Sequence, residues 1–235
     1  MAADVQVLED PAGAAAELLA RHAAARHHVA LTGGSTPKDA YRRAATMDVD
    51  WSGATLWFGD ERCVPPDDER SNYGLVRACL LEEIPGPAPV VHRIRGELGP
   101  AEGAADYEAL LRHSFGEDGP PYLDLLLLGL GSDGHCASLF PGQPALEETE
   151  RLVVGVPEAG LEPFVPRVTM TLPVINAARE VAFLVSGAGK AEAVARAFGG
   201  TPDPDTPASL VVPVRGTLTV LLDPAAAERL EVAHS

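Results

Sequence analysis

Positive charge is scarce in this chain: 18 lysines and arginines face 34 aspartates and glutamates over 235 residues, a formal net charge of −16. That balance argues against non-specific binding to nucleic acid or to an anionic membrane surface. It also means that a site for an anion must gather its few cations locally and take backbone N–H groups from turns. Cysteine is nearly absent as well. Cys63, Cys79 and Cys136 form no C-x-x-C pair and have no metal-type cluster beside them, so neither a disulfide framework nor a metal site is expected. No apolar run approaches the ~18–20 residues of a transmembrane helix. The segment MAADVQVLED carries neither a basic region nor an apolar stretch, so a cytoplasmic location is the expectation. There is no G-x-S-x-G nucleophile turn, because Leu130 and Leu184 stand where its first glycine would be. A Walker A loop is missing too.

What is present is a repeated alternation of short apolar runs and helix-forming stretches. Residues 14–25, AAAELLARHAAA, have high helix propensity throughout. HHVALTGG reads as a strand, with His27 and His28 at its edge. Ser35 or Thr36 is placed to cap the following helix, TPKDAYRRAA, with Pro37 at its first position. ATLWFGDE is a strand, SNYGLVRACLLEEI a helix, IPGPAPV a surface loop and AEGAADYEALLRHSF a helix. Leu125 to Leu128 is an unbroken apolar run of the kind buried on both faces of a parallel sheet. Strands follow at RLVVGV, RVTMTL and EVAFLVSG, then a helix at GKAEAVARAF, a loop at TPDPDTPAS, and a last strand and helix at GTLTVLLD and PAAAERL. This order predicts an α/β fold with a mostly parallel sheet covered on both faces. No repeat and no long linker interrupts it, so a single domain over 1–235 is expected. Nothing in the sequence marks an interface, and a monomer is the working expectation.

The richest segment is LDLLLLGLGSDGHCASLFPG, residues 123–142. A buried strand empties into Gly129, Gly131 and Gly134, with Asp133 and His135 among them. In open α/β sheets ligands bind beyond the carboxyl ends of strands, and histidine suits proton transfer near neutral pH. His135 is therefore the candidate base, and Asp133 the residue that orients it, binds a substrate hydroxyl or merely stabilises the turn. The run Gly129–Gly134 also fits G-x-G-x-x-G, yet Phe140-Pro141-Gly142 cuts off the long helix a dinucleotide turn should open. Nucleotide binding is not expected. Cys136 reads as a small packed residue.

Three other turns suit an anion. Gly33-Gly34-Ser35 ends one strand and begins a helix, where free N–H groups gather. Arg62 in GDER offers a planar fork. Lys190, in SGAGK, sits near a helix start, where its charge opposes the helix dipole unless an anion lies between. Arg167, just before VTMTL, is a weaker candidate of the same kind.

Taken together, LTGGSTP, FGDERCVP with SNYG, LLLGLGSDGHCASLFPG, RVTMTLPVINAAREVAFLVSGAGKAEAV and PASLV before GTLTVLLD resemble the family of 6-phosphogluconolactonases and glucosamine-6-phosphate isomerases/deaminases. The matching pieces run in order from about Leu31 to Asp223. The resemblance implies a Rossmann-like three-layer α/β domain that opens the ring ester of 6-phosphoglucono-δ-lactone in the pentose phosphate pathway, without a cofactor. Deaminase relatives carry a pattern like DGHIAFNEP, whose glutamate takes part in ring opening. Here Asp133 to Pro141 reads DGHCASLFP, the lactonase form. Cys136 departs from the commoner threonine, and a single arginine precedes VTMTL where relatives often have two. The expected partner is a small phosphorylated sugar lactone. The rival readings are a sugar-phosphate isomerase/deaminase and a non-catalytic sugar-phosphate-binding protein.

Overall fold

The computed structural model describes residues 3–117 and 119–230, so the two ends of the domain expected over 1–235, and position 118, lie outside the described residues. In chain order the strands are β1 (Asp4–Val7), β2 (His28–Leu31), β3 (Thr55–Phe58), β4 (Asp60–Arg62), β5 (Val90–Val91), β6 (Leu125–Leu128), β7 (Val153–Val156), β8 (Arg167–Met170), β9 (Glu180–Val185) and β10 (Thr217–Leu222). The α-helices are α1 (Pro11–Ala24), α2 (Pro37–Thr46), α3 (Asn72–Val76), α4 (Pro100–Phe115), α5 (Leu172–Ala177) and α6 (Ala191–Phe198).

Seven strands form one sheet in the order β1-β10-β9-β6-β2-β3-β5, and every neighbouring pair is parallel. At its centre the four leucines of β6 are each 0% exposed. Successive side chains on a strand point to opposite faces, so this run requires cover on both. Helix α1 packs on α2 and on β2, β9 and β10. Trp51, Trp57, Tyr41 and Tyr107 are among the largest fully buried side chains.

The sheet also fixes where a ligand can sit. From β2 the chain adds strands in one direction, to β3 and β5; from β6 it adds them in the other, to β9 and β10. The crevice above adjacent β2 and β6 is thus the topological switch point, the preferred ligand position in such sheets. The loop with Gly33 leaves β2 there, and the loop with His135 leaves β6.

The structure departs from the sequence expectations in several places. Val90, expected in the surface loop IPGPAPV, pairs with β3 as part of β5, and LPVINA, where no helix was expected, forms α5. ATLWFGDE is two strands, not one: after Gly59 the chain leaves the parallel sheet, and β4 joins a second, antiparallel sheet in the order β4-β8-β7. RLVVGV and RVTMTL are strands as expected, but of this second sheet. PAAAERL is a succession of turns rather than a helix; Ala227 N–H bonds to Asp223 O and Leu230 N–H to Ala227 O, with no continuous ladder over so short a run. At the start of α2, Thr36 lies in the helical region and neither it nor Ser35 caps with its side chain. No side chain among the described residues caps the N-terminal N–H groups of α2. Strand β1, at the sheet edge, carries no strong alternation and was not expected.

Candidate functional site

A cleft of about 200 Å³ opens at the switch point, and residues from five separate turns line it. Gly33, Gly34 and Ser35 come from the β2 turn, Arg62 from the end of β4, and His135 from the β6 loop. Arg167 comes from the start of β8, and Lys190 from the turn after β9. Seven of the eight residues singled out in the sequence thus share one wall-to-wall site. Asp133, the eighth, stands behind the histidine.

The β6 loop is shaped for that pairing. His135 Nδ1 lies 2.6 Å from Asp133 Oδ1, and the same oxygen accepts the His135 backbone N–H at 3.1 Å. With Nδ1 engaged, Nε2 is the nitrogen left for the cleft. Burial opposes ionisation of Asp133, but the hydrogen bond and charge of His135 outweigh it and hold the carboxyl below its ordinary value. The ring of His135 packs on Phe140 with centroids 4.5 Å apart. Gly134, at φ 94°, presents its carbonyl to the N–H of Ala208, and a side chain at 134 would strike Thr206. This contact places the PAS segment under the loop. Ala137, which lines the cleft, is held at φ 48°, a conformation that costs an alanine energy and needs surrounding support.

That support comes from residues the sequence reading did not single out. Ser138, fully buried, donates its hydroxyl to Asp60 Oδ2 at 2.6 Å. Its backbone N–H donates to Thr169 Oγ1 at 3.2 Å. Asp60 in turn accepts from Asn72 Nδ2. Glu61 is buried beside it and accepts the backbone N–H groups of Arg62, Asn72 and Tyr73. Burial raises the Glu61 carboxyl above its ordinary value, and these N–H groups pull part of the way back. In the sequence these residues lie within FGDERCVP, SNYG, DGHCASLFP and RVTMTL, but none of those segments names a partner.

The cations meet across the second sheet. In the β4–β8 ladder Arg62 stands directly opposite Arg167. Like charges opposed in a ladder repel, so the pair is poised for an anion between them. Arg62 gives Nη1 to the Arg70 carbonyl, while its buried Nε has no partner among the described residues. Arg167, 3% exposed, donates Nε and Nη2 to the carbonyls of Val165 and Pro163 and lies over the Phe140 ring. Burial lowers its affinity for the proton, with nearby Asp60 acting against that. Burial likewise holds the Lys190 ammonium below the usual lysine value, with partial compensation from Asp133. Lys190 makes no ion pair among the described residues. Cys136 is fully buried and its thiol is pushed up to about 12, so it is packing material, as expected. Among the described residues no cluster of three metal-type side chains exists, and no helix is long and apolar enough to cross a membrane.

Known proteins resemble this chain over nearly its whole length. The family model for glucosamine-6-phosphate isomerases/6-phosphogluconolactonase matches residues 4–220. A human 6-phosphogluconolactonase is 42% identical over 231 residues, covering 93% of this chain and 89% of its own length. One from Mycobacterium leprae is 41% identical, covering 97% and 99%. The solved structure of 6-phosphogluconolactonase from Trypanosoma brucei superposes with a TM-score of 0.83 at 31% identity, over 97% of this chain and 99% of that one.

Proposed function

Because the chain belongs to the glucosamine-6-phosphate isomerase/6-phosphogluconolactonase family, we propose that it hydrolyses 6-phosphoglucono-δ-lactone to 6-phosphogluconate, in the pentose phosphate pathway. The observation that carries this reading is the His135–Asp133 couple at 2.6 Å beside a cleft that Arg62, Arg167 and Lys190 also line. A base and an anion cradle are thus set on one crevice.

The phosphate rests against the free N–H groups of Gly33, Gly34 and Ser35 and the three cations, which turns the lactone carbonyl towards His135. Asp133 accepts the Nδ1 proton and so keeps Nε2 as the basic nitrogen. Nε2 takes a proton from water as the hydroxide forms a bond to C1. The tetrahedral intermediate then collapses, the C1–ring oxygen bond breaks, and the imidazolium returns its proton to the departing oxygen. Proton transfer of this kind contributes about 10²–10⁴-fold. The family's deaminase pattern has its glutamate in register with Phe140, which here is buried against His135. That apolar contact favours lactone hydrolysis over isomerisation. The three free thiols support a reducing compartment such as the cytoplasm, and one continuous hydrophobic core supports a single catalytic unit.

The test is acid release from freshly made 6-phosphoglucono-δ-lactone in a pH-stat, with unphosphorylated gluconolactone in parallel. Acceleration of the phosphorylated ester, largely lost in His135→Ala, is expected. A rate no higher than spontaneous hydrolysis would remove the reading and leave a sugar-phosphate-binding protein in its place.

A further inference from the structure

Two side-chain atoms of residues lining the cleft are buried without a hydrogen-bond partner among the described residues, and they are of opposite kind: Arg62 Nε is a donor and Asn72 Oδ1 an acceptor. Groups of this kind are costly to leave unmade, and a bound ligand is one way they are satisfied. A phosphate can satisfy the arginine. As a dianion it has no proton to offer the amide oxygen.

The orientation of Asn72 is forced by its surroundings. Its Nδ2 faces two acceptors, the Asp60 carbonyl at 2.9 Å and Asp60 Oδ1 at 3.1 Å. Flipping the amide would set oxygen against both. Oδ1 therefore points away from Asp60 and towards Gly33, where a Cβ would sit only 1.8 Å from it. The amide oxygen occupies space that a side chain at 33 would need, beside the turn that holds the phosphate. Asn72 is 1% exposed and fixed at the start of α3, so it is held in place for its donor.

We propose that Asn72 is a specificity-determining residue whose Oδ1 accepts a hydrogen bond from a ring hydroxyl of the phosphorylated lactone. The assignment rests on the lactonase reading above. It makes the site selective for a hydroxylated ring as well as for a phosphate, because a substrate lacking that hydroxyl leaves the acceptor unpaired once it is bound.

The experiment measures kcat/KM for the parent lactone and its 2-, 3- and 4-deoxy forms with the wild-type protein and Asn72→Ala. On the wild type, one deoxy lactone should lose about 100-fold or more. In the variant, that same lactone should be hydrolysed within about threefold of the parent, because the acceptor is gone. Losses that simply add, or a wild-type protein that treats all three deoxy lactones like the parent, would overturn the assignment. The second outcome needs no variant and stands even where Asn72→Ala fails to fold. If the wild type does not accelerate the parent lactone, the lactonase reading itself fails. Calorimetric binding of glucose 6-phosphate and its deoxy forms to the wild type then decides Asn72: equal affinities overturn the assignment, and a selective loss for one deoxy form upholds it.

Discussion

A methyl group at position 131 would sit 2.0 Å from His135 Nδ1 and 2.4 Å from Asp133 Oδ1. Glycine is needed there for space, since the imidazole and carboxylate fill the volume of a side chain. Gly131→Ala should therefore part the couple and lower kcat about 100-fold, with circular dichroism unchanged. Turnover within a few-fold of wild type would mean that the couple does not set the rate. Lys190→Ala makes a different prediction. If its ammonium binds the phosphate, KM for the phosphorylated lactone should rise about tenfold or more, while kcat/KM for unphosphorylated gluconolactone stays put. Equal losses on both esters would place Lys190 in the chemistry instead. His135, Lys190 and the glycines were legible in the sequence because each follows an apolar run and has a chemistry of its own. Asp60, Asn72 and Ser138 were not. Their partners lie as far as 78 residues away, and nothing local distinguishes a buried serine bonded to a carboxylate from a serine in a loop.

At the scale of elements, the parallel sheet was readable because burial on both faces writes continuous apolar runs such as Leu125–Leu128. The second sheet was hidden: β4 is three residues long, carries Asp60, Glu61 and Arg62, and holds its place by pairing with β8 across a hundred residues. Its polar sequence has no hydrophobic period to detect. Yet this small sheet aligns Arg62 with Arg167 and supplies Asp60 and Thr169 to the loop that carries His135. Removing its tie should loosen the loop. Ser138→Ala leaves the buried Asp60 carboxylate short of its shortest hydrogen bond, 2.6 Å, and should destabilise the fold by about 1–3 kcal/mol in urea unfolding. A change below about 0.5 kcal/mol would show that the tie between sheet and loop is replaceable.

Across the whole molecule, charge and burial set how stability follows pH, and they pull in opposite directions. At neutral pH the net charge of −16 acts against the compact state, and this repulsion fades as pH falls towards the sequence pI of 4.7. Glu61 works the same way: its carboxyl is raised by burial, so its ionisation opposes folding and is relieved as pH drops. Against these stand carboxylates held below their ordinary values by partners. Asp106 and Glu97 are bonded to arginines, Glu180 chiefly to His22 and Asp133 to His135, and Asp68 is lowered to about 2 by Arg70. A depressed folded value contributes stability that is fully present above the unfolded value near 4 and is lost as pH falls through the folded one. The two sets therefore act in adjoining windows. His28 and His92, held below the ordinary imidazole value chiefly by burial, oppose the first limb. The melting temperature should therefore rise only modestly between about pH 7.5 and pH 5.5, then fall by about pH 3.5. High salt should flatten the first limb, where long-range repulsion between exposed charges dominates. Differential scanning calorimetry at low and high ionic strength checks both limbs. A melting temperature still climbing at the acid end would mean that relief of repulsion outweighs every ion pair, and the arginine–carboxylate pairs would then contribute little to holding the fold.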